Sequence, residues 1–509
     1  MNKFYLNYYT LSILFISIPF LEFVNSSFHA IDKSIVQVLV IIFFLIIITF
    51  SLINYLLDKI IYFYNGFYLF FLSITFLISF NFFDLKNGIN YFSKYSSYLS
   101  IIILLISYLI IFLLIKKQKI KIFFVFLAYI SIIYHMLILY SLFNDNKDLV
   151  TKYSNRTNKI FYDQIDSNQK SKENIYYFIL DGMTSLKYFN ESFPEKKDIF
   201  LNHYANYLKS NNYTIHQNTQ SNYNSTYLSM AALLSLDYPV TDLSDKYFGR
   251  ANFWPYLMTN PNKKPRLISI LEENDMSFKW YGNITASCKN YSYDKNFCPK
   301  DSVSNFFYVF NSFFKKTPLI TFLRKFFPKF MLAGYGASTD TINNFLNDFD
   351  NLDISKKKFY LIHHLAPHPP YIHNSDCSLK DKSLSFVTDN NYGGYKDSYL
   401  CALKRIEQAV KMLSEKDPKS LVVFTADHGW ILKDKDNLKN KQMLKFDIFN
   451  AFKINEKCKQ FISNKIDAIS TIRLVLGCNI NREPVLTNGN VYQGYQENNR
   501  NFGKIFKVF

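Results

Sequence analysis

The chain has 509 residues, of which 49% are hydrophobic and 18% aromatic, and its formal net charge is +18. This length allows more than one domain. The positive charge does not indicate a nucleic-acid-binding protein, because no base-stacking or recognition motif accompanies it, and a basic domain beside an anionic membrane leaflet is the simpler interpretation.

The first 145 residues consist of long apolar runs separated by short polar gaps, and they predict a membrane anchor of five helices. Each run approaches or exceeds the roughly 20 residues that cross the hydrocarbon core of a bilayer. The first run resembles a signal peptide in position, but four more follow it and no small-residue cleavage site is evident. The predicted spans are 6–24, 35–57, 60–83, 97–115 and 122–143.

The distribution of lysines predicts the orientation of these spans. The gap after the fourth span, 116–121, reads KKQKIK and is the densest positive cluster near any span, so we expect it in the cytoplasm. The N-terminus is then also cytoplasmic, and residues 145–509 lie on the outer, periplasmic or extracellular, side of the inner (cytoplasmic) membrane. Lys33, Lys86 and Lys94 lie in loops that this orientation places outside, so the bias is incomplete.

All six cysteines lie in the outer part of the chain, and their even number suggests disulfide bonds in an oxidising compartment. The pairs suggested by proximity in the sequence are Cys288–Cys298, Cys377–Cys401 and Cys458–Cys478. Six cysteines allow fifteen pairings, and ordinary buried thiols are the alternative.

The outer part begins with a polar linker, 146–173, which has room for a short helix on the membrane surface, and a domain over 174–509 follows. Three apolar runs in this domain predict buried strands. The runs are 174–180, 358–363 and 421–424. Helical patterns such as 397–413 lie between them. Strands that alternate with helices predict an α/β domain with a largely parallel central sheet flanked by helices.

Each predicted strand runs into side chains that are suited to chemistry. The first ends at Asp181, the second leads into three histidines and a proline-rich turn that contains His368, and the third leads to Asp427 and His428. Ligand sites in α/β sheets lie beyond the carboxyl ends of the strands. Taken singly, Asp181 is equally a turn residue and a histidine beside prolines is more often structural, so the argument depends on the set.

A helical pattern begins at Thr226 within the stretch 218–239. A threonine at this place can simply cap the helix. It also has a functional interpretation, because a helix N-terminus suits a phosphate or sulfate group and a hydroxyl becomes a nucleophile when a metal lowers its pKa. Thr219, Ser221 and Ser225 are competing nucleophiles that precede the helix, and we rank them below Thr226.

The order of these features resembles the sulfatase branch of the alkaline phosphatase superfamily: a strand ending in Asp, a nucleophile opening a helix, a histidine in a proline-rich turn, then Asp-His-Gly. The resemblance covers about 174–480. Sulfatases carry a C/S-x-P-x-R motif, and here Thr226 occupies the nucleophile position while Leu228 and Met230 replace the proline and the arginine. Formylglycine formation requires Cys or Ser in that context. The chain is therefore more similar to lipoteichoic acid synthases and phosphoethanolamine transferases, which also carry N-terminal membrane spans.

The resemblance implies a role for each of these residues. Thr226 would be the nucleophile and would carry a phospho-threonine intermediate. His368 would bind a phosphoryl oxygen or protonate the leaving group, and His364 is a weaker catalytic candidate. The implied ligands of a divalent metal are Asp181, Thr226, Asp427 and His428.

One metal is the economical expectation, since the two-zinc relatives need a further histidine after Asp-His and His428 is the last of nine histidines here. Oxygen-rich ligands with a single imidazole favour Mn²⁺ or Mg²⁺, and Zn²⁺ is the alternative.

The leading interpretation is therefore a membrane-anchored transferase that moves phosphoethanolamine or phosphoglycerol from a phospholipid donor to a glycan acceptor at the cell surface. The first alternative is a hydrolase, either a phosphodiesterase or an unusual sulfatase, with water as the acceptor. A second alternative is a non-catalytic membrane protein with a decayed site that acts in envelope assembly. The intact set of Asp, Thr, His and Asp-His argues against decay.

Overall fold

The structure, a computed structural model, describes the chain in segments. The described residues are 2–26, 33–60, 69–70, 72–77, 80, 129–140, 173–193, 200–239, 265–282, 310, 313–314, 317, 340–369, 371–380, 392–430, 445–464, 466–497 and 501–508. The predicted span 97–115, the lysine cluster 116–121, the linker up to residue 172 and the pair Cys288–Cys298 lie outside the described residues.

The chain divides into two compact units. One unit comprises residues 1–148 together with 304–331, and the other comprises 149–303 together with 332–509. The stretch 304–331 falls within the domain that the sequence places at 174–509, yet it groups with the N-terminal unit. The boundaries expected near 145 and 173 stay predictions.

The N-terminal unit contains α1 (Asn2–Ser26), α2 (Lys33–Ile60) and α3 (Tyr129–Tyr140). Within the described residues, one helix is long and apolar enough to cross a membrane, at Val36–Leu57 with a mean hydropathy of 3.0. The apolar parts of α1 and α3 are shorter. Described helical structure thus falls in four of the five predicted spans, and a complete five-helix bundle stays a prediction.

The second unit is built on a six-stranded sheet whose order is β2-β6-β5-β1-β4-β3. The strands are β1 (Ile175–Leu180), β2 (Thr214–Ile215), β3 (Ser277–Tyr281), β4 (Lys358–His364), β5 (Leu421–Thr425) and β6 (Asn450–Lys453). Neighbours among β5, β1, β4 and β3 pair in parallel, while β6 is antiparallel to both β5 and β2. The sheet is therefore mixed, with β6 reversed, rather than purely parallel.

Helices cover both faces of this sheet. They are α4 (Leu186–Ser192), α5 (Phe200–Ser210), α6 (Thr226–Ser235), α7 (Arg266–Glu273), α8 (Thr341–Asp348), α9 (Tyr392–Lys416) and α10 (Ala468–Asn479). Short 3₁₀ turns lie at Phe349–Asn351 and Glu456–Phe461, and an antiparallel hairpin of β7 (Tyr492–Glu497) and β8 (Asn501–Lys507) follows. The helices interleave with the strands as the alternating pattern predicts.

Strand β1 shows why the sheet is central. All six of its side chains are buried, because successive side chains of a strand point to opposite faces and helices lie on both. Tyr177 and Ile179 join a core with α6, α7 and α10, while Tyr176 and Phe178 join a second core with α5, α8 and α9. Each large side chain buried in this way contributes about 1.5–3 kcal/mol of transfer free energy. The continuous apolar run in the sequence thus corresponds to a strand with no solvent face.

Two disulfide bonds connect loops to helices in this unit. Cys377 is bonded to Cys401 of α9, and Cys458 is bonded to Cys478 of α10. Two of the three pairs suggested by the sequence are therefore formed.

Candidate active site

Two neighbouring strands deliver three of the predicted side chains to one edge of the sheet. Asp181 follows β1, while Asp427 and His428 follow β5, which is the parallel neighbour of β1. The chain therefore leaves both strands at the same edge, where α/β sheets place their ligand sites. The three residues are buried, and one ligand atom from each lies within 4.8 Å of the others.

The Asp427 carboxylate is fixed by its own backbone surroundings. Its Oδ1 accepts hydrogen bonds from the amides of Gly182 (3.0 Å) and His428 (2.9 Å). Its Oδ2 is buried and has no hydrogen-bond partner among the described residues. A buried carboxylate oxygen without a donor costs free energy, so this oxygen is positioned to bind a cation.

A backbone group also orients the His428 ring. Its Nδ1 lies 2.9 Å from the carbonyl oxygen of Gly429, and a carbonyl can only accept, so Nδ1 carries the proton. The lone pair is then on Nε2, which lies 3.5 Å from Asp181 Oδ1 and 3.5 Å from Asp427 Oδ2. Three electron-rich atoms face one another, as in a metal site whose histidine is oriented by its second nitrogen.

The two carboxylates influence each other's ionisation. Burial and the nearby charge of Asp427 raise the pKa of Asp181 well above its ordinary value. Burial would also raise the pKa of Asp427, but the His428 and His363 imidazoles and the Gly182 amide lower it overall. Among the described residues, their ion-pair partners are histidines rather than lysine or arginine. Two buried acids with an unpartnered oxygen and an imidazole lone pair therefore fit a divalent metal ion.

Thr226 completes this group as the first residue of α6. Its hydroxyl oxygen lies 3.4 Å from Asp181 Oδ1 and 3.3 Å from His428 Nε2. The first amides of a helix have no acceptor within the helix and give its N-terminus a positive potential. The hydroxyl is thus placed beside the metal-binding groups, at an end of a helix that suits a phosphate.

The competing hydroxyls are placed differently. The Ser221 hydroxyl donates to the backbone carbonyl of Tyr223, and the Thr219 hydroxyl accepts from the side-chain amide of Asn450. Ser225 is the N-cap of α6 but makes no side-chain capping bond, and its hydroxyl is buried without a partner among the described residues. The hydroxyls of Ser221 and Thr219 are therefore hydrogen-bonded to neighbouring groups of the fold.

The two positions that resemble the proline and arginine of a sulfatase motif are both buried. Leu228 is 0% exposed and Met230 1% exposed, and Met230 packs in the core on the α6 side of the sheet. An apolar side chain thus fills the place of the arginine.

His368 lies close to the metal-binding group. Its ring is 6.4 Å from the His428 ring and 5.2 Å from the Trp430 ring, centroid to centroid. Its Nδ1 lies 2.6 Å from the carbonyl oxygen of Pro369, which places the proton on Nδ1 and the lone pair on Nε2. The predicted catalytic histidine therefore lies near His428, at the same edge of the sheet.

The structure does not bring His364 to this site. Neighbouring residues of β4 point to opposite faces of the sheet, and His364 lies on the face of α8 and α9, where Asp340, His373 and Arg405 are its charged neighbours. Burial, with the charges of His373 and Arg405, lowers its pKa to about 4 against the opposing effect of Asp340. The structure thus places the His364 side chain away from Asp181, Asp427 and His428, and its neighbour His363 faces them instead; a catalytic role for His364 stays a prediction.

Sequence reasoning missed three residues at this edge: Gly182, His363 and Trp430. Gly182 has a φ of 73°, and a Cβ there would lie 3.3 Å from the Trp430 ring, so glycine allows both the turn and the approach of the indole. The available signals were the glycine directly after Asp181 and the tryptophan directly after Asp-His-Gly.

Comparison with known proteins identifies the family. The family model described as Sulfatase matches residues 174–472, which is more than half of the chain. None of the curated proteins matches the chain in sequence.

Several solved structures resemble the fold at low sequence identity. The lipooligosaccharide phosphoethanolamine transferase A of Neisseria meningitidis is 14% identical, over 72% of this chain and 70% of that one, with a TM-score of 0.40. The C-terminal periplasmic domain of EptC from Escherichia coli is 13% identical, over 69% of this chain and 96% of that one, with a TM-score of 0.39. A 4S-sulfatase of Bacteroides thetaiotaomicron is 14% identical, over 66% and 83%, with a TM-score of 0.40. These likenesses are too distant to transfer an activity, and the family assignment depends on the family model.

Proposed function

The chain belongs to the sulfatase family and is an enzyme that acts on phosphate or sulfate esters, and on that premise we propose that it is a membrane-anchored, metal-dependent transferase. It moves a phospho-headgroup, phosphoethanolamine or phosphoglycerol, from a phospholipid to a cell-surface glycan. The transfer passes through a phospho-threonine intermediate on Thr226.

The observation that carries this proposal is the unmodified hydroxyl of Thr226 beside two buried carboxylates and an imidazole lone pair. Threonine cannot become the formylglycine on which sulfatases depend. A hydroxyl can instead form a covalent ester with phosphorus, and a covalent intermediate splits one difficult transfer into two easier steps.

The chain's own residues have distinct tasks in the first step. Asp181, Asp427 and His428 would hold a divalent ion, whose charge would lower the pKa of the Thr226 hydroxyl and offset charge on the phosphate. The hydroxyl loses its proton to solvent, and Thr226 Oγ1 attacks the phosphorus of the donor. The bond from phosphorus to the diacylglycerol oxygen breaks, and His368, which first takes up a proton from solvent on Nε2, passes that proton to the leaving oxygen.

The second step reverses these roles. A hydroxyl of the acceptor gives its proton to His368 Nε2 and attacks the phosphorus, the bond to Thr226 Oγ1 breaks, and Thr226 Oγ1 takes up a proton from solvent. The amides at the start of α6 stabilise the phosphate during both steps. The ligands are mainly oxygen atoms, which favours Mn²⁺ or Mg²⁺ and leaves Zn²⁺ as the alternative.

The membrane anchor fits a lipid donor and a lipid product. Helix α2 presents large apolar side chains outward, with Phe44 56% exposed and Ile48 61% exposed, and exposed apolar surface of this kind suits contact with lipid. We propose five spans with a cytoplasmic N-terminus and an outer catalytic domain. A reporter enzyme fused after residue 145 should be active only outside the cytoplasm, and activity inside would refute this orientation.

The covalent intermediate can be trapped directly. The full-length protein is incubated with headgroup-labelled phospholipid while the glycan acceptor is withheld. We expect a labelled phosphopeptide within 218–236, with the label on Thr226. A label on Ser221 or Ser225 would overturn the assigned mechanism. Release of free phospho-headgroup at the full turnover rate, with or without glycan, would instead identify a hydrolase.

A further inference from the structure

His363 is the last residue but one of β4 and lies beside β1 in the sheet. Strand register pairs it with Ile179, two residues before Asp181. It is 6% exposed, and alternation along the strand places it on the same face of the sheet as Ile179 and α6, opposite to His364.

The His363 Nε2 atom faces the outer oxygen of Asp181. The distance from Nε2 to Asp181 Oδ2 is 3.7 Å, and this nitrogen is buried without a hydrogen-bond partner among the described residues. A buried ring nitrogen without a partner is costly, and Asp181 is the acid nearest to it in this part of the chain.

The two oxygens of Asp181 face different partners. Oδ1 lies 3.4 Å from Thr226 Oγ1 and 3.5 Å from His428 Nε2, on the metal-binding side. Oδ2 faces His363. The compact ligand group consists of Asp181, Asp427 and His428 without His363, so His363 stands behind a ligand and is not itself one.

We propose that His363 is a positioning residue of the metal site: its Nε2 faces Asp181 Oδ2 across 3.7 Å in this structure, and it closes that gap to donate to Oδ2 when Oδ1 turns toward a metal. This inference rests on the proposed function, because it assumes that Asp181 binds a metal. Groups behind metal ligands fix the orientation of those ligands, and their loss costs about 10–100-fold in metal affinity. His363 positions the metal ligand Asp181 and does not itself touch the substrate.

The test measures metal affinity of the full-length protein without any substrate. Mn²⁺ is titrated against metal-free protein by the electron paramagnetic resonance signal of the free ion, and Zn²⁺ by competition with a chromophoric chelator. His363→Met removes the N–H but keeps an apolar side chain of similar reach. We expect its metal affinity to fall about 10–100-fold.

Two further variants separate positioning from folding. His363→Gln keeps an N–H donor at a position close to Nε2 and should recover most of the affinity. His364→Met changes the adjacent residue on the opposite face and should bind metal like the wild type. Melting temperatures measured in excess chelator report any folding defect independently. If His363→Met does not fold, His363→Asn replaces it, because its shorter amide does not reach Asp181 Oδ2.

The outcomes distinguish this inference from the proposed function. Wild-type affinity in His363→Met, or in His363→Asn where Met does not fold, overturns the role of His363. An equal loss in the Gln and Met variants overturns it as well, because the donor would then be irrelevant. If the wild-type protein binds neither Mn²⁺ nor Zn²⁺, the metal dependence in the proposed function has failed first.

Discussion

Buried carboxylates on the two faces of the sheet are neutralised in different ways. On the face of α8 and α9, Asp340 caps α8 and accepts hydrogen bonds from Arg405. On the face of α6, Asp181 and Asp427 have histidines but no lysine or arginine as ion-pair partners among the described residues. The face of α8 and α9 thus carries the permanent cation of Arg405, whereas the carboxylates on the face of α6 are suited to bind a metal cation.

The ionisation of these acids reflects this difference. Burial would raise the pKa of Asp340, but His364 and Arg405 hold it below its usual value. Burial and the charge of Asp427 raise the pKa of Asp181. A buried acid that is not paired with a cation inside the protein is a marker of a functional site, and here that acid stands directly after strand β1 of the central sheet.

The largest effect should come from Thr226, the proposed nucleophile, at the start of α6. Thr226→Ala removes the hydroxyl, and we expect turnover to fall by at least about a thousand-fold, since loss of a nucleophile removes the covalent route. Binding of the donor lipid should largely survive, because the metal ligands and the start of α6 remain. Turnover and lipid binding are measured separately.

Two variants serve as controls for this prediction. Thr226→Ser keeps a hydroxyl and should retain part of the activity, while Ser225→Ala should be mild. Wild-type turnover in Thr226→Ala would show that the chemistry does not pass through this residue.

A matched pair of substitutions tests the comparison itself. Asp427→Asn removes a charge that faces the metal, and we expect metal affinity to fall at least about 100-fold, because even groups behind ligands cost up to that much. Asp340→Asn makes the same change on the other face and should leave metal affinity unchanged. Metal content after dialysis against a fixed free Mn²⁺ concentration reads out both, and full occupancy in Asp427→Asn would remove that residue from the site.

Asp340→Asn should leave metal affinity unchanged but should lower the stability of the protein. Asp340→Asn leaves Arg405 without its carboxylate, which should lower the free energy of unfolding by about 3 kcal/mol at neutral pH. Because the pKa of Asp340 is lowered in the folded protein, its contribution is present above the unfolded value of 3.8 and is lost as the pH falls through the folded value. Denaturant unfolding of wild type and variant should therefore converge in acid, and a constant difference down to the lowest pH would contradict this assignment.

The sequence predicts the central strands because they are buried on both faces. The runs 174–180, 358–363 and 421–424 match β1, β4 and β5 to within about one residue. The sequence does not predict β2, β3 and β6 of this sheet, whose two, five and four residues carry too little periodicity to be recognised.

The candidate site could be predicted only in part, and for a physical reason. Asp181, Asp427 and Thr226 stand at ends of elements, so their position along the chain indicates their location. His363 and His364 stand inside a strand that is apolar on both sides, and only the pairing of β4 with β1 decides which of them faces Asp181. That register depends on residues far apart in the sequence, and no local pattern encodes it.

The smallest effect concerns Asp447, a carboxylate that has neither an arginine partner nor a place in the Asp181, Asp427 and His428 group within the part of the chain that the structure describes. Asp447 accepts a hydrogen bond from Ser185 at 2.6 Å, and burial raises its pKa to about 6. An acid with a raised pKa in the folded state destabilises the protein at a pH above that value, and stability is regained as the pH falls from about 6 toward the unfolded value of 3.8.

Asp447→Asn removes the buried charge and keeps an acceptor for Ser185, so it should stabilise the protein at pH 7.5 by about 1 kcal/mol. The gain should fade below about pH 4, where the wild-type acid is protonated in both states. Thermal unfolding at the two pH values measures it, and destabilisation by Asp447→Asn at pH 7.5 would mean that the charged form is the one the fold requires.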